Sequence, residues 1–140
     1  MNMRQSSATL TIDTPGKALV EITDRAARFV ADSGITEGLL TLLCRHTSAS
    51  LLINENAAPA VKRDILAWFD RVAPEGPLYE HDDEGPDDMP AHLRAALTGV
   101  NLSIPVSGGR MMLGTWQGIY LAEHRARPHR RSVAAHIFGE

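Results

Sequence analysis

Three short stretches of this chain concentrate side chains capable of chemistry. The first runs from Cys44 through His46, Thr47, Ser48 and Ser50 and continues to Asn54-Glu55-Asn56. It gathers an imidazole, three hydroxyls, two carboxamides and a carboxylate, groups that are costly at the edge of an apolar segment unless something binds them. One reading is a ligand pocket in which His46 serves as base or metal ligand and Glu55 orients it or moves a proton. Ser48 beside His46 also permits a nucleophile, although no G-x-S-x-G elbow surrounds it. The other reading is that these groups only satisfy turn and cap hydrogen bonds. The second stretch, from His81 to His92, sets five carboxylates between two imidazoles. That is a dense supply of donors for a divalent metal, with zinc or magnesium both open. Equally, it reads as a solvated acidic loop whose Asp87 or Asp88 caps a helix at Pro90. The third stretch comprises Gly108-Gly109-Arg110, then Gly114 to Tyr120, then Glu123-His124-Arg125. Glycines flanking Thr115, Trp116 and Gln117 let backbone amides approach an oxyanion. Arg110 and Arg125 have the planar fork that suits phosphate. Trp116 either stacks on a ring or belongs to the core, and Arg125, Arg127, Arg130 and Arg131 also read as a solvated connection. Together the three stretches are expected to build one site for a small phosphorylated ligand.

The elements that must position these residues follow from periodicity. Alternation over Ala8 to Ile12 and Ala18 to Ile22 predicts two strands joined as a hairpin by Asp13 to Gly16. Thr23 or Asp24 caps a short helix that Gly34 ends. Gly38 to Cys44 is apolar on both alternating faces and predicts a central strand covered on both sides, with Ser50 to Ile53 as its partner. Asn56 caps a main helix through Val72, with Pro59 tolerated in its first turn. After a long polar loop from Pro74 to Met89, Pro90 starts a short helix ended by Gly99. Val100 to Val106 alternates until the turn Ser107-Gly108-Gly109, which predicts a second hairpin, and Met111 to Leu113, Ile119 to Glu123 and Ser132 to Phe138 complete a mainly antiparallel sheet of six to eight strands. The expected class is α/β in the α+β sense, a sheet or sandwich with packed helices, with residues 1–140 as one domain. His136 and Cys44 are read as structural.

Composition narrows the function. With 140 residues, 44% hydrophobic and 22% charged, the chain has the balance of a folded globule. A net charge of -3 gives no general pull toward nucleic acid. The longest apolar run is too short to span a membrane. A lone cysteine and the start MNMRQSSATL, which lacks the apolar core of a secretory signal, point to the cytoplasm.

The blocks HTSASLLINEN, EGPDDMPAHLRAALTG and GRMMLGTWQGIYLAEHR, together with the closing Phe138-Gly139-Glu140, resemble those of the YjbQ-type family, the secondary thiamine-phosphate synthases. The resemblance covers nearly the whole chain. It implies a homotrimer with polar sites near subunit boundaries. It also implies a weak ability to join a hydroxymethylpyrimidine diphosphate to a thiazole phosphate with release of pyrophosphate. By position, the matching residues are His46, Thr47, Ser48, Asn54 and Glu55, then His81, Glu84, Asp88 and His92, then Thr115, Trp116 and Gln117. Arg110 joins the substrate contacts as a candidate phosphate ligand. His124 carries less weight. Two alternatives stand beside this activity: a trimeric module that binds a metal or phosphorylated metabolite without turnover, and a metal-dependent phosphoester hydrolase.

Overall fold

The computed structural model describes residues 2–140. Eight strands form two antiparallel sheets: β1 (Arg4–Thr14), β2 (Ala18–Glu21), β3 (Gly38–Cys44), β4 (Ala49–Glu55), β5 (Asn101–Ser107), β6 (Arg110–Met111), β7 (Gln117–Glu123) and β8 (His129–Gly139). The helices are α1 (Thr23–Ser33), α2 (Pro59–Val72) and α3 (Asp88–Thr98). The larger sheet has the order β1-β8-β3-β5-β6 and the smaller β2-β7-β4. The α+β class and its antiparallel sheets are as expected.

Pairing differs from the sequence reading in two places. β1 pairs with β8 and β2 with β7, so the turn at Asp13 to Gly16 carries the chain from one sheet to the other and is not a hairpin. Likewise β4 pairs with β7, not with β3. Local alternation marks strands, but the partner is chosen by long-range burial. The β5–β6 hairpin does form, and its two turn glycines, Gly108 and Gly109, adopt φ of 60° and 76°, a conformation that favours glycine.

The main core lies between the sheets. Leu40, Leu42 and Cys44 of β3 face Ile119 and Leu121 of β7, and Phe29 and Val30 of α1 close one end. On the far side of the small sheet, Tyr120 and Ala122 pack against Phe69, Ile65 and Leu66 of α2. The strand covered on both faces is therefore β7. In β3, by contrast, Leu39 and Leu43 remain 43% and 42% exposed on the outer face. That corrects the expectation for Gly38 to Cys44. Helix α1 ends as its sequence requires, on Gly34 with φ 69°. Helix α2 begins at Pro59, but Asn56 does not cap it: the Ala58 amide donates to the Glu55 carboxylate at 3.1 Å, while the Asn56 carboxamide donates to Glu21. Among the described residues no helix is long and apolar enough to cross a membrane.

Candidate functional site

Helix α3 packs along β4, and its first two turns carry Asp88 and His92. A spacing of four puts both on one helical face. The preceding loop folds back to add His81. Its Nε2 lies 2.8 Å from Asp88 Oδ2, and His92 Nε2 lies 3.1 Å from the same oxygen. Glu84 Oε2 is 3.2 Å from His81 Nε2. The three donor atoms of His81, Asp88 and His92 lie within 4.8 Å of one another. Asp88 is buried, whereas His81 is exposed and His92 half-buried.

The tautomer of His92 is fixed by its other nitrogen. Nδ1 lies 3.0 Å from the Thr47 carbonyl, which can only accept, so Nδ1 carries the hydrogen. In the neutral ring the Nε2 lone pair then points at a carboxylate oxygen. That contact is favourable only with a hydrogen or a metal ion between the two atoms. An imidazole held through its far N–H by a backbone carbonyl is the usual arrangement of a metal-ligating histidine. Burial would raise the Asp88 carboxyl, but the hydrogen bond from His81 and the nearby His92 and Arg125 hold it below the ordinary range. His81 is raised by its hydrogen bond to Asp88.

His92 also lines an open cleft of about 480 Å³, together with His46, Thr47 and Asn101 and an apolar floor of Ala95, Ala96, Gly99 and Val100. These lining residues include no lysine or arginine. His46 is placed differently from what its type suggests. Its Nε2 accepts the Ser132 amide at 2.8 Å, so the ring keeps its hydrogen on Nδ1. Burial and then the neighbouring Arg131 lower its basicity. With the Nε2 lone pair committed, His46 is a neutral donor in this arrangement, and not a base or ligand. Ser48 is equally engaged: Arg131 Nη2 donates to its Oγ at 3.0 Å, and the side chain is nearly buried. No imidazole contacts that hydroxyl among the described hydrogen bonds, which removes the nucleophile reading.

Behind the cleft lies a buried polar layer. Glu123 accepts from Arg131 Nε at 2.8 Å and from the Thr14 hydroxyl at 2.7 Å. Burial alone would raise its carboxyl, yet the Arg131 guanidinium and Thr14 keep it ionised and below the usual range. His124 is enclosed, with Nε2 2.8 Å from Ser50 Oγ and its ring edge-on to Phe69. Burial lowers its pKa to about 4. Arg125 joins Asp87, Asp88 and the Glu84 carbonyl. Asp87, raised by burial but bonded by Arg125 and the Ala126 amide, falls to about 2. It makes no side-chain cap on α3, contrary to the alternative reading of the acidic loop. The reading of Arg131 as part of a solvated connection is corrected: it is 4% exposed and paired with the buried Glu123. The pairing is not visible in the sequence because seven residues lie between the two; the one available signal was a charged residue ending the apolar run of β7.

The remaining candidates lie elsewhere. Asn54 and Glu55 end β4, paired with Gly118 and Gln117 at the start of β7, whereas Ser48 precedes the other end of β4. Six residue steps at about 3.3 Å put roughly 20 Å between the two ends. Glu55 is occupied with the Ala58 amide, and the Gln117 side chain accepts from the Gly114 amide at 2.8 Å. Thr115 is exposed and Trp116 is 63% exposed, so Trp116 is not core. Arg110 lines a separate groove between α1 and β6 with Thr23, Val30 and Met111. Within one chain, Asn54, Glu55, Arg110, Thr115, Trp116 and Gln117 therefore do not join His46, His81 and His92. The expectation of a single site from three stretches is corrected to two polar ends of one small sheet.

Fold and site together define an antiparallel α+β protein with a bis-imidazole carboxylate cluster at the rim of an open cleft. The family described as UPF0047 protein YjbQ-like matches residues 8–140, and the chain belongs to that family. A UPF0047 protein of Synechocystis sp. is 49% identical over 98% of this chain and 94% of its own length. The YjbQ protein of Escherichia coli O157:H7 is 44% identical over 94% and 96%. The crystal structure of a protein of unknown function from Sulfolobus solfataricus P2 superposes with a TM-score of 0.92 at 28% identity, covering 99% of this chain and all of that one.

Proposed function

We propose that this chain is a metal-dependent transferase for small phosphorylated heterocycles, with secondary thiamine-phosphate synthase activity as its specific reaction. The observation that carries the reading is the convergence of His81, Asp88 and His92 beside the cleft, with His92 turned by the Thr47 carbonyl so that its lone pair faces the cluster. Two imidazoles and a carboxylate fit a zinc-type donor set better than magnesium, which prefers oxygen ligands. Glu84 stands ready as a fourth donor. His81, Asp88 and His92 would hold the divalent cation, which would supply positive charge for the oxygens of a departing pyrophosphate. The lining of the cleft offers no other cation for that task. In the transfer, the thiazole nitrogen forms a bond to the pyrimidine methylene carbon while the carbon–oxygen bond breaks, and its electron pair leaves with pyrophosphate. The flat floor of Ala95, Ala96 and Gly99 accommodates a planar ring, and His46 and Asn101 supply hydrogen bonds at its edges. The homotrimer implied by the family resemblance and a cytoplasmic setting belong to the same proposal, and the polar end at Trp116 is then free to complete a neighbouring subunit's site.

The test is formation of thiamine phosphate from its two precursors by metal-replete protein, a chelated sample and His92→Ala. Product from the first alone supports the reading. If metal-replete protein binds zinc yet forms no product, transfer is wrong, and release of phosphate from small phosphoesters then separates the hydrolase from a module that only binds.

A further inference from the structure

We propose that Arg125 is the positioning residue of the metal site, fixing which oxygen of Asp88 faces the imidazoles and holding the Glu84 turn against His81. The inference rests on the metal reading above. Arg125 lies two residues beyond the end of β7, next to the buried Glu123 and His124, so its backbone is anchored beside a buried segment. The Arg125 amide donates to Glu123 Oε2 at 3.1 Å, and the next amide, of Ala126, donates to Asp87 Oδ2 at 2.8 Å. From this base one guanidinium makes three bonds in three directions. Nη1 donates to Asp88 Oδ1 at 2.8 Å, Nε to Asp87 Oδ2 at 2.9 Å and Nη2 to the Glu84 carbonyl at 2.9 Å.

The consequence for the cluster is geometric. With Oδ1 engaged by Arg125, Oδ2 of Asp88 is the oxygen presented to the imidazoles, and both Nε2 atoms converge on it. The bond to the Glu84 carbonyl acts on the other side. It holds the turn through Gly85, whose φ of 102° is strained for any residue with a side chain, and so keeps the Glu84 carboxylate near His81. Asp87 contributes no atom to the cluster; it holds the guanidinium by its Nε. A lysine at 125 keeps the charge but cannot make a planar three-way contact.

The experiment uses Co²⁺ as the probe, titrated into metal-free full-length wild type, Arg125→Lys and Asp87→Asn, with the visible absorption bands of the bound ion and the thermal unfolding of each metal-free protein recorded. Loss of an outer partner of a metal ligand weakens affinity by about 10–100-fold. Arg125→Lys is expected to bind Co²⁺ weaker by that factor and with shifted bands, and Asp87→Asn to change both in the same direction by less. A merely structural role would lower the unfolding midpoint while leaving the affinity and bands of the folded protein alone. Wild-type affinity and bands in folded Arg125→Lys overturn the inference and leave the metal reading standing. If Arg125→Lys does not fold, unchanged binding by Asp87→Asn overturns it. A wild type that binds neither Co²⁺ nor Zn²⁺ overturns both.

Discussion

At the residue scale, His46 and His92 share a cleft but present opposite chemistry. The Ser132 amide donates to the lone pair of His46, and the Thr47 carbonyl accepts from Nδ1–H of His92, so of the two only His92 aims a lone pair at a carboxylate. His92→Ala should abolish zinc binding, measured by equilibrium dialysis, with little loss of stability because the side chain is partly exposed. His46→Ala should do the reverse. It leaves a backbone amide without its acceptor, lowering stability by about 1–3 kcal/mol in urea unfolding while zinc affinity holds. A third prediction concerns acid. His124 titrates near 4 in the folded protein against an ordinary 6.5, because burial disfavours its charged form. The unfolded chain therefore binds the proton first, and stability is full above pH 6.5 and falls as pH drops toward about 4. The loss between pH 7 and pH 5 should be about 2 kcal/mol. His124→Asn should flatten that slope, and a variant as steep as wild type would assign the acid sensitivity to other groups. None of these distinctions is legible in the sequence, which shows six histidines and not which nitrogen of each is spoken for.

At the scale of elements, what could be read was what depends on near neighbours. The glycine end of α1, the β5–β6 hairpin with its two turn glycines, Pro59 in the first turn of α2 and the helix closed by Gly99 all follow from local stereochemistry. What could not be read was partner choice. The run at Gly38 to Cys44 and the run at Ile119 to Ala122 are both apolar, and only the placement of α2 decides which of the two strands is covered twice. The same limit governs the site: Asp88 and His92 were legible through their helical spacing, whereas the separation of Ser48 from Glu55 required knowing that β4 runs straight between them. Close approach between strands gives a test at this scale. A Cβ on Gly139 would lie 2.0 Å from the Glu37 carbonyl oxygen and 2.6 Å from Gly38 Cα, both backbone atoms. Gly139→Ala should force β8 and β3 apart at that end and cost about 1–3 kcal/mol of unfolding free energy, as overpacking does. Unchanged stability would mean that the end of β8 is looser than the pairing of Gly38 with Gly139 indicates.

At the scale of the whole molecule, the two polar ends of the small sheet are held apart by β7, the strand buried on both faces, and each end is tied to different parts of the chain. Metal at one end should therefore act as an ordinary ligand of the folded state. A hundredfold excess of zinc over its Kd should raise the unfolding free energy by about 2.7 kcal/mol, and chelator should remove the whole increment. The order β1-β8-β3 has a further consequence, for biosynthesis. The two strands flanking β8 are made early and are not hydrogen-bonded to each other, so during translation each waits with an unpaired edge until residues 129–139 have left the ribosome. Collapse of the α1 region can precede that moment, but closure of the large sheet cannot. The nascent protein thus passes through an interval of exposed strand edges that the finished fold conceals, and cells short of chaperone capacity should lose newly made chains well before they lose mature ones.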